Sequence, residues 1–237
     1  MDAQDIAANL ERVRARIAAA AGRAGRDPRE VTLVAVTKSF PAEVVRMAVA
    51  AGLLDIGENR VQEARDKRAL LADLGGARWH LVGHLQRNKA GLALQLFDWV
   101  HSVDSLELAQ VLERRAAQVE RTVPVLLEIN VAGEETKFGF RLHRLETLFS
   151  AVEAMLVLPH LRLEGLMTVA PIAAAAEAVR PVFRRLYELR DLLRRRYPEA
   201  PWTHLSMGMT DDYEVAVEEG ATMVRLGRAL FGERTIS

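Results

Sequence analysis

The stretch VTLVAVTK, residues 31–38, decides the fold. Six β-branched or apolar residues run without a break and stop at Thr37 and Lys38. That pattern reads as a strand buried on both faces with polar residues at its C-terminal end. Further short runs follow at 54–57, 79–83, 99–103, 125–131, 163–169, 202–207 and 223–226, which makes eight candidate strands. Between them lie segments apolar on one face, such as 41–51, 61–74, 106–121, 142–158 and 173–197. Strands that alternate with helices imply parallel strands and crossover connections. Eight such units in 237 residues, with no glycine fingerprint after the first strand, favour closure into a (β/α)8 TIM-type barrel over an open doubly wound sheet.

The prediction is a single domain, 1–237, with the barrel over about 31–232 and an extra N-terminal helix over about 2–24. In that helix Ile6, Leu10, Val13 and Ile17 recur at helical spacing between charged residues, so it does not read as a signal peptide. The alanine cluster at 173–176 is read as the start of its helix. No apolar run is long enough to suggest a membrane span. Lysine plus arginine equals aspartate plus glutamate at 32 each, so no global field draws the chain to nucleic acid or an anionic membrane. The chain has no cysteine, which excludes disulfides, thiolate metal sites and thiol nucleophiles and suits a cytoplasmic setting. Evenly charged helical faces favour a monomer.

Barrel chemistry sits at the C-terminal ends of the strands, and here those ends are polar. They carry Lys38, Asn59, His84, Asp104, Asn130, Thr168, Ser206 and Arg225. An amine at the mouth of an apolar barrel is desolvated, which lowers its pKa and makes it a nucleophile toward an aldehyde. A lysine after a strand is also commonly a plain surface charge. The ends of strands seven and eight are where many barrels hold phosphate. Ser206, Gly208, Gly227 and the backbone after it are suited to that, while Thr210 or Asp211 can be read as the cap of the next helix. His80 and His84 are four apart, yet no carboxylate pattern accompanies them and no metal site is expected. The basic run 86–89 lacks interleaved aromatics and reads as a helix-starting loop rather than an RNA contact.

In combination, VAVTKSFP, GENRVQE, WHLVGHLQRNK, HSVDS, INVAGEETKFGF, GLMTVAP, HLSMGMTDDYEVAVEEG and VRLGRALFG closely resemble the YggS/PROSC family of pyridoxal-phosphate homeostasis proteins, from about Val31 to Gly232. The resemblance implies an alanine-racemase-like barrel that carries pyridoxal 5′-phosphate (PLP) as a Schiff base on Lys38. It further implies that Ser206 and the backbone of Gly227 and Arg228 hold the phosphate, and that Arg225 lies at the pyridine nitrogen. Asn59 would lie near the phenolic oxygen, and Met207 and His84 would line the ring. Arg228 departs from the family, where a small hydroxyl residue is common. An arginine at the ring nitrogen keeps it unprotonated and restrains carbanion chemistry. The tyrosines, Tyr187, Tyr197 and Tyr213, do not fall at strand ends where a second proton carrier would stand. The expected role is therefore to sequester and deliver PLP, with PLP-dependent apoenzymes and free amino acids as further partners. The alternatives are a single-domain amino-acid racemase and a cofactor-free Schiff-base aldolase.

Overall fold

Eight of the apolar runs form a closed ring of parallel strands in the computed structural model, which describes residues 2–233. In chain order the strands are β1 (Thr32–Val36), β2 (Asp55–Glu58), β3 (Arg78–Leu81), β4 (Trp99–Val103), β5 (Val123–Asn130), β6 (Phe140–Arg141), β7 (Leu161–Met167), β8 (His204–Ser206) and β9 (Met223–Leu226). β6 is a two-residue addition beside the end of β5 and takes no part in the ring. The ring runs through neighbouring strands and closes where Thr32 to Ala35 of β1 pair with Met223 to Leu226 of β9. Closure leaves no free edge among the eight strands, so the backbone of each is paired on both sides.

Alternation along the strands separates two apolar layers. Ala35, Ile56 and Leu205 belong to the large core between strands and helices. Leu126, Met167 and Met223, from β5, β7 and β9, form a separate cluster inside the ring. The outer layer is supplied by α2 (Ala42–Ala50), α3 (Val61–Leu70), α4 (Ala90–Leu96), α5 (Leu106–Ala117), α6 (Leu145–Leu156), α7 (Arg180–Arg196), α8 (Tyr213–Glu218) and α9 (Arg228–Phe231).

The extra helix, α1 (Ala3–Arg23), starts with a capping box: the Asp2 carboxylate accepts from the Gln4 and Asp5 amides at 2.8 and 2.9 Å, and Asp5 accepts from the Asp2 amide at 2.9 Å. Its buried stripe of Ile6, Leu10, Val13 and Ile17 packs on α2, α8 and α9. Two elements differ from the sequence reading: β6 lies outside the eight predicted runs, and one helix starts later. The alanine cluster does not start the α-helix, which begins only at Arg180, after a short 3-10 turn over Ala176–Val179. Pro181 explains the start point, because proline is tolerated only in a first turn, where its missing N–H has no acceptor to satisfy. None of the described helices is long and apolar enough to cross a membrane.

Candidate functional site

Lys38 stands where β1 turns toward α2, and a buried polar cluster builds that turn. The Lys67 ammonium, only 6% exposed, donates to the Thr37 carbonyl at 2.6 Å, to Glu58 at 2.6 Å and to Glu63 at 2.8 Å. The Thr37 hydroxyl donates to the same Glu58 oxygen at 2.6 Å, and the Ser39 amide donates to Glu63. Ser39 has a φ of +64°, a left-handed conformation that a side chain resists, so the turn depends on these contacts. Lys38 is thereby presented, half-buried, between two immobilised neighbours.

The lysine faces a cleft of about 340 Å³ at the C-terminal end of the ring. Its walls are Val36, Lys38 and Phe40 from the first turn, Asn59 and Val82 after β2 and β3, and Val169 after β7. They continue with Met209, Thr210 and Asp211 after β8, then Arg225, Gly227 and Arg228 on and after β9. A larger recess, about 890 Å³, opens beside α7 and α8, but its charges are already matched to one another, as in Arg184–Glu219 at 2.8 Å and Arg26–Glu30 at 3.4 Å. The smaller cleft is the one with an amine and a buried cation on the same wall.

That cation is Arg225. It is 5% exposed, and its hydrogen bonds go to neutral oxygens: Ser206 O at 2.7 Å, Ser206 Oγ at 2.8 Å and Thr168 O at 2.8 Å. Burial pulls its pKa down to about 10, opposed by the negative charges of Asp212 and Glu128, so it remains charged at neutral pH. Those bonds use three of five N–H groups, which leaves donors for an acceptor in the cleft. Nearby, the Ala229 amide donates to Thr210 Oγ1 at 3.3 Å, which ties the loop after β8 to the first turn of α9. Gly208 makes that loop possible: its φ is +92°, and a Cβ there would lie 2.6 Å from the Ala216 Cβ.

Of the residues singled out from sequence, Lys38, Asn59, Arg225, Gly227 and Arg228 meet at the cleft. Three others do not. Ser206 is fully buried, and its hydroxyl is engaged by Arg225 and by His101 at 2.9 Å, one layer below the cleft. Met207 is fully buried in the core between strands and helices, on the opposite face of the chain from Ser206. His84 lines a neighbouring recess, held by Asp104 at 3.1 Å and stacked on Phe138 with ring centres 3.6 Å apart.

The hydroxyl that does reach the cleft is that of Thr210, for which the sequence also allowed a helix-cap reading. Neither it nor Asp211 caps α8: Asp211 pairs with Arg228, and α8 has no side-chain cap. His80 and His84 diverge, the first pointing into the ring toward Asp55 and the second to the mouth. Among the described residues no cluster suits a metal ion.

A parallel barrel with a lysine closing β1 and a buried arginine on β9, both facing one cleft, defines a protein of the alanine-racemase barrel class. Residues 2–235 match the family described as alanine racemase, N-terminal domain. The chain is 46% identical over 225 residues to the pyridoxal phosphate homeostasis protein of Aquifex aeolicus, covering 95% of this chain and 96% of that one. It is 44% identical over 238 residues to that of Escherichia coli K12, covering 98% of each. The PLP-bound structure of PipY from Synechococcus elongatus PCC7942 superposes with a TM-score of 0.84 at 37% identity, over 96% of this chain and all of that one. An alanine racemase from Clostridium difficile gives a TM-score of 0.73 at 17% identity, over 98% of this chain and 57% of that one, a likeness of fold alone. The chain belongs to the pyridoxal phosphate homeostasis protein family.

Proposed function

We propose that this chain binds PLP in the cleft at the barrel mouth and serves PLP homeostasis by holding the cofactor and giving it up again. The observation that carries the reading is that Lys38 and Arg225, from the adjacent strands β1 and β9, line one cleft together with Asn59, Thr210, Gly227 and Arg228. When bound, PLP supplies an aldehyde that condenses reversibly with an amine. Lys38 is the amine for it. The remaining N–H groups of Arg225 suit the lone pair of a pyridine nitrogen, and a cation there disfavours protonation of that nitrogen. The Thr210 hydroxyl, the backbone after Gly227 and the Arg228 guanidinium suit a phosphate. Val36, Val82 and Val169 provide apolar walls for a ring. The proposal extends to free amino acids, whose amines compete with Lys38 for the aldehyde, and to apoenzymes that receive the cofactor.

A spectrum of the purified protein incubated with PLP and gel-filtered tests this. A visible absorption band that borohydride bleaches, and that free amino acids shift or release, is the expected result. Protein that emerges colourless would overturn it.

The position of Ser206 below the cleft gives a second expected result. Thr210→Val should weaken PLP by about ten- to a hundredfold, the worth of a hydrogen bond to a charged group, and leave pyridoxal nearly unaffected. Parallel titration with the two ligands measures it. Equal losses would remove Thr210 from the phosphate end.

A further inference from the structure

Below the cleft, polar side chains cross the interior of the ring in one unbroken line. Asp55, the first residue of β2, stands at the N-terminal end of the barrel. There Arg78 clamps it through two bonds of 2.7 Å. Its Oδ1 meets His80 Nε2 at 2.9 Å, His80 Nδ1 meets His101 Nε2 at 3.0 Å, and His101 Nδ1 meets Ser206 Oγ at 2.9 Å. Ser206 Oγ then meets Arg225 Nη1 at 2.8 Å. None of the five residues is more than 8% exposed, and Trp99 stacks on the His80 ring, so the line is walled off from water.

The two ends fix their own links, and the two links between them follow from the charge on His80. A guanidinium can only donate, so Ser206 Oγ accepts from Arg225. The Asp55 carboxyl is held down at about 2 despite its burial, by His80 and Arg78, so it is ionised and can only accept. His80 therefore carries a proton on Nε2. With His80 neutral, its Nδ1 accepts from His101 Nε2, and His101 Nδ1 accepts the proton of the Ser206 hydroxyl. Burial holds His101 well below the usual histidine range, which agrees with a neutral ring. Each atom then has one role and each proton one acceptor. A doubly protonated His80 would reverse the two upper links and leave the Ser206 proton with no acceptor along the line.

We propose that Asp55, His80, His101 and Ser206 form a one-directional hydrogen-bonded chain that positions Arg225 at the cleft from the far end of the barrel. Ser206 is thus a positioning residue acting on the ring end of the cleft and not on a phosphate. The consequence for the ligand rests on the PLP reading above; the chain itself does not. Because Arg225 would address the pyridine ring, a broken link affects PLP and pyridoxal alike.

The experiment has two parts. On ligand-free, ¹⁵N-labelled protein at neutral pH, both His80 and His101 should be neutral with the proton on Nε2. A proton on Nδ1 of either ring, or a doubly protonated ring, would overturn the proposal. In the second part, Ser206→Ala and the remote Asp55→Asn, each checked for a cooperative thermal transition, should weaken PLP and pyridoxal by the same factor. That factor is about two- to tenfold, the worth of one internal hydrogen bond. Affinities within twofold of wild type in both variants, or a loss confined to PLP, would sink the positioning role. Expected tautomers in a wild-type protein that binds neither ligand would instead refute the PLP reading, and the positioning role with it.

Discussion

Lys38→Ala is expected to abolish covalent retention of PLP completely while leaving the fold intact. The side chain lies at the mouth of the ring, half-buried, outside both apolar clusters, so its removal takes nothing from the packed layers. The rest of the cleft survives, so the variant should still bind PLP weakly and reversibly through Arg225 and the phosphate end. Two measurements check this. Borohydride reduction of wild-type protein followed by peptide mapping should place the pyridoxyl group on Lys38, and the variant should carry none after gel filtration. A group found on Lys89 or Lys137 would move the site, as would undiminished retention in the variant.

That Lys38 could be placed at the rim in advance reflects how barrels are built. In a parallel ring every strand ends at the same rim, so a polar residue directly after an apolar run is placed by the fold itself. Lys38 and Asn59 follow from that rule, whereas Arg225 lies within β9 itself. Ser206 and Met207 show where it stops working. β8 is three residues long, and side chains alternate along it, so Ser206 points into the ring while Leu205 and Met207 join the outer core. The loop then climbs past Gly208 before Thr210 arrives at the cleft, a path set by a positive φ and by contact with α8. Nothing in the spacing distinguishes that path from a helix cap. The pairs that hold the site together were equally hidden: Lys67 reaches Glu58 from the next helix, and His101 reaches Ser206 across the barrel. The first contact needs α3 to fold back on β2, and the second needs the closed ring. The misread start of α7 is a different case, since Pro181 was visible in the sequence and should have outweighed the helix propensity of four alanines.

The other large effect is expected from Lys67→Met. Glu58 is fully buried, one of its oxygens has no hydrogen-bond partner, and the other is shared by Lys67 and Thr37. Burial raises the Glu58 pKa, and the Lys67 charge opposes the rise. Methionine keeps most of the stem volume but removes the charge, which leaves an uncompensated carboxylate in the interior. Breaking a buried pair from one side costs about 3–5 kcal/mol. In a chain of this size that corresponds to roughly 6–20 °C in Tm.

The pH dependence separates this cause from general loss of packing. In the variant, the Glu58 pKa rises further in the folded state and keeps its ordinary value, about 4.3, in the unfolded one. The folded state then holds the proton more tightly, so Glu58 favours folding below its unfolded pKa, and that support is lost as pH rises through the folded pKa. The deficit against wild type should therefore be largest at pH 7–8 and shrink as the pH is lowered toward about 4.3. Thermal melts across that range measure it, and the double variant Glu58→Gln with Lys67→Met should recover much of the loss. A deficit that stays flat with pH and persists in the double variant would show that the lysine stem, and not its charge, holds the turn. Because Lys67 also holds the Thr37 carbonyl, and through Glu63 the Ser39 amide, folded Lys67→Met protein should retain PLP less well although no cleft residue has changed. The same buried charge that supports the barrel wall thus fixes the direction in which Lys38 is presented.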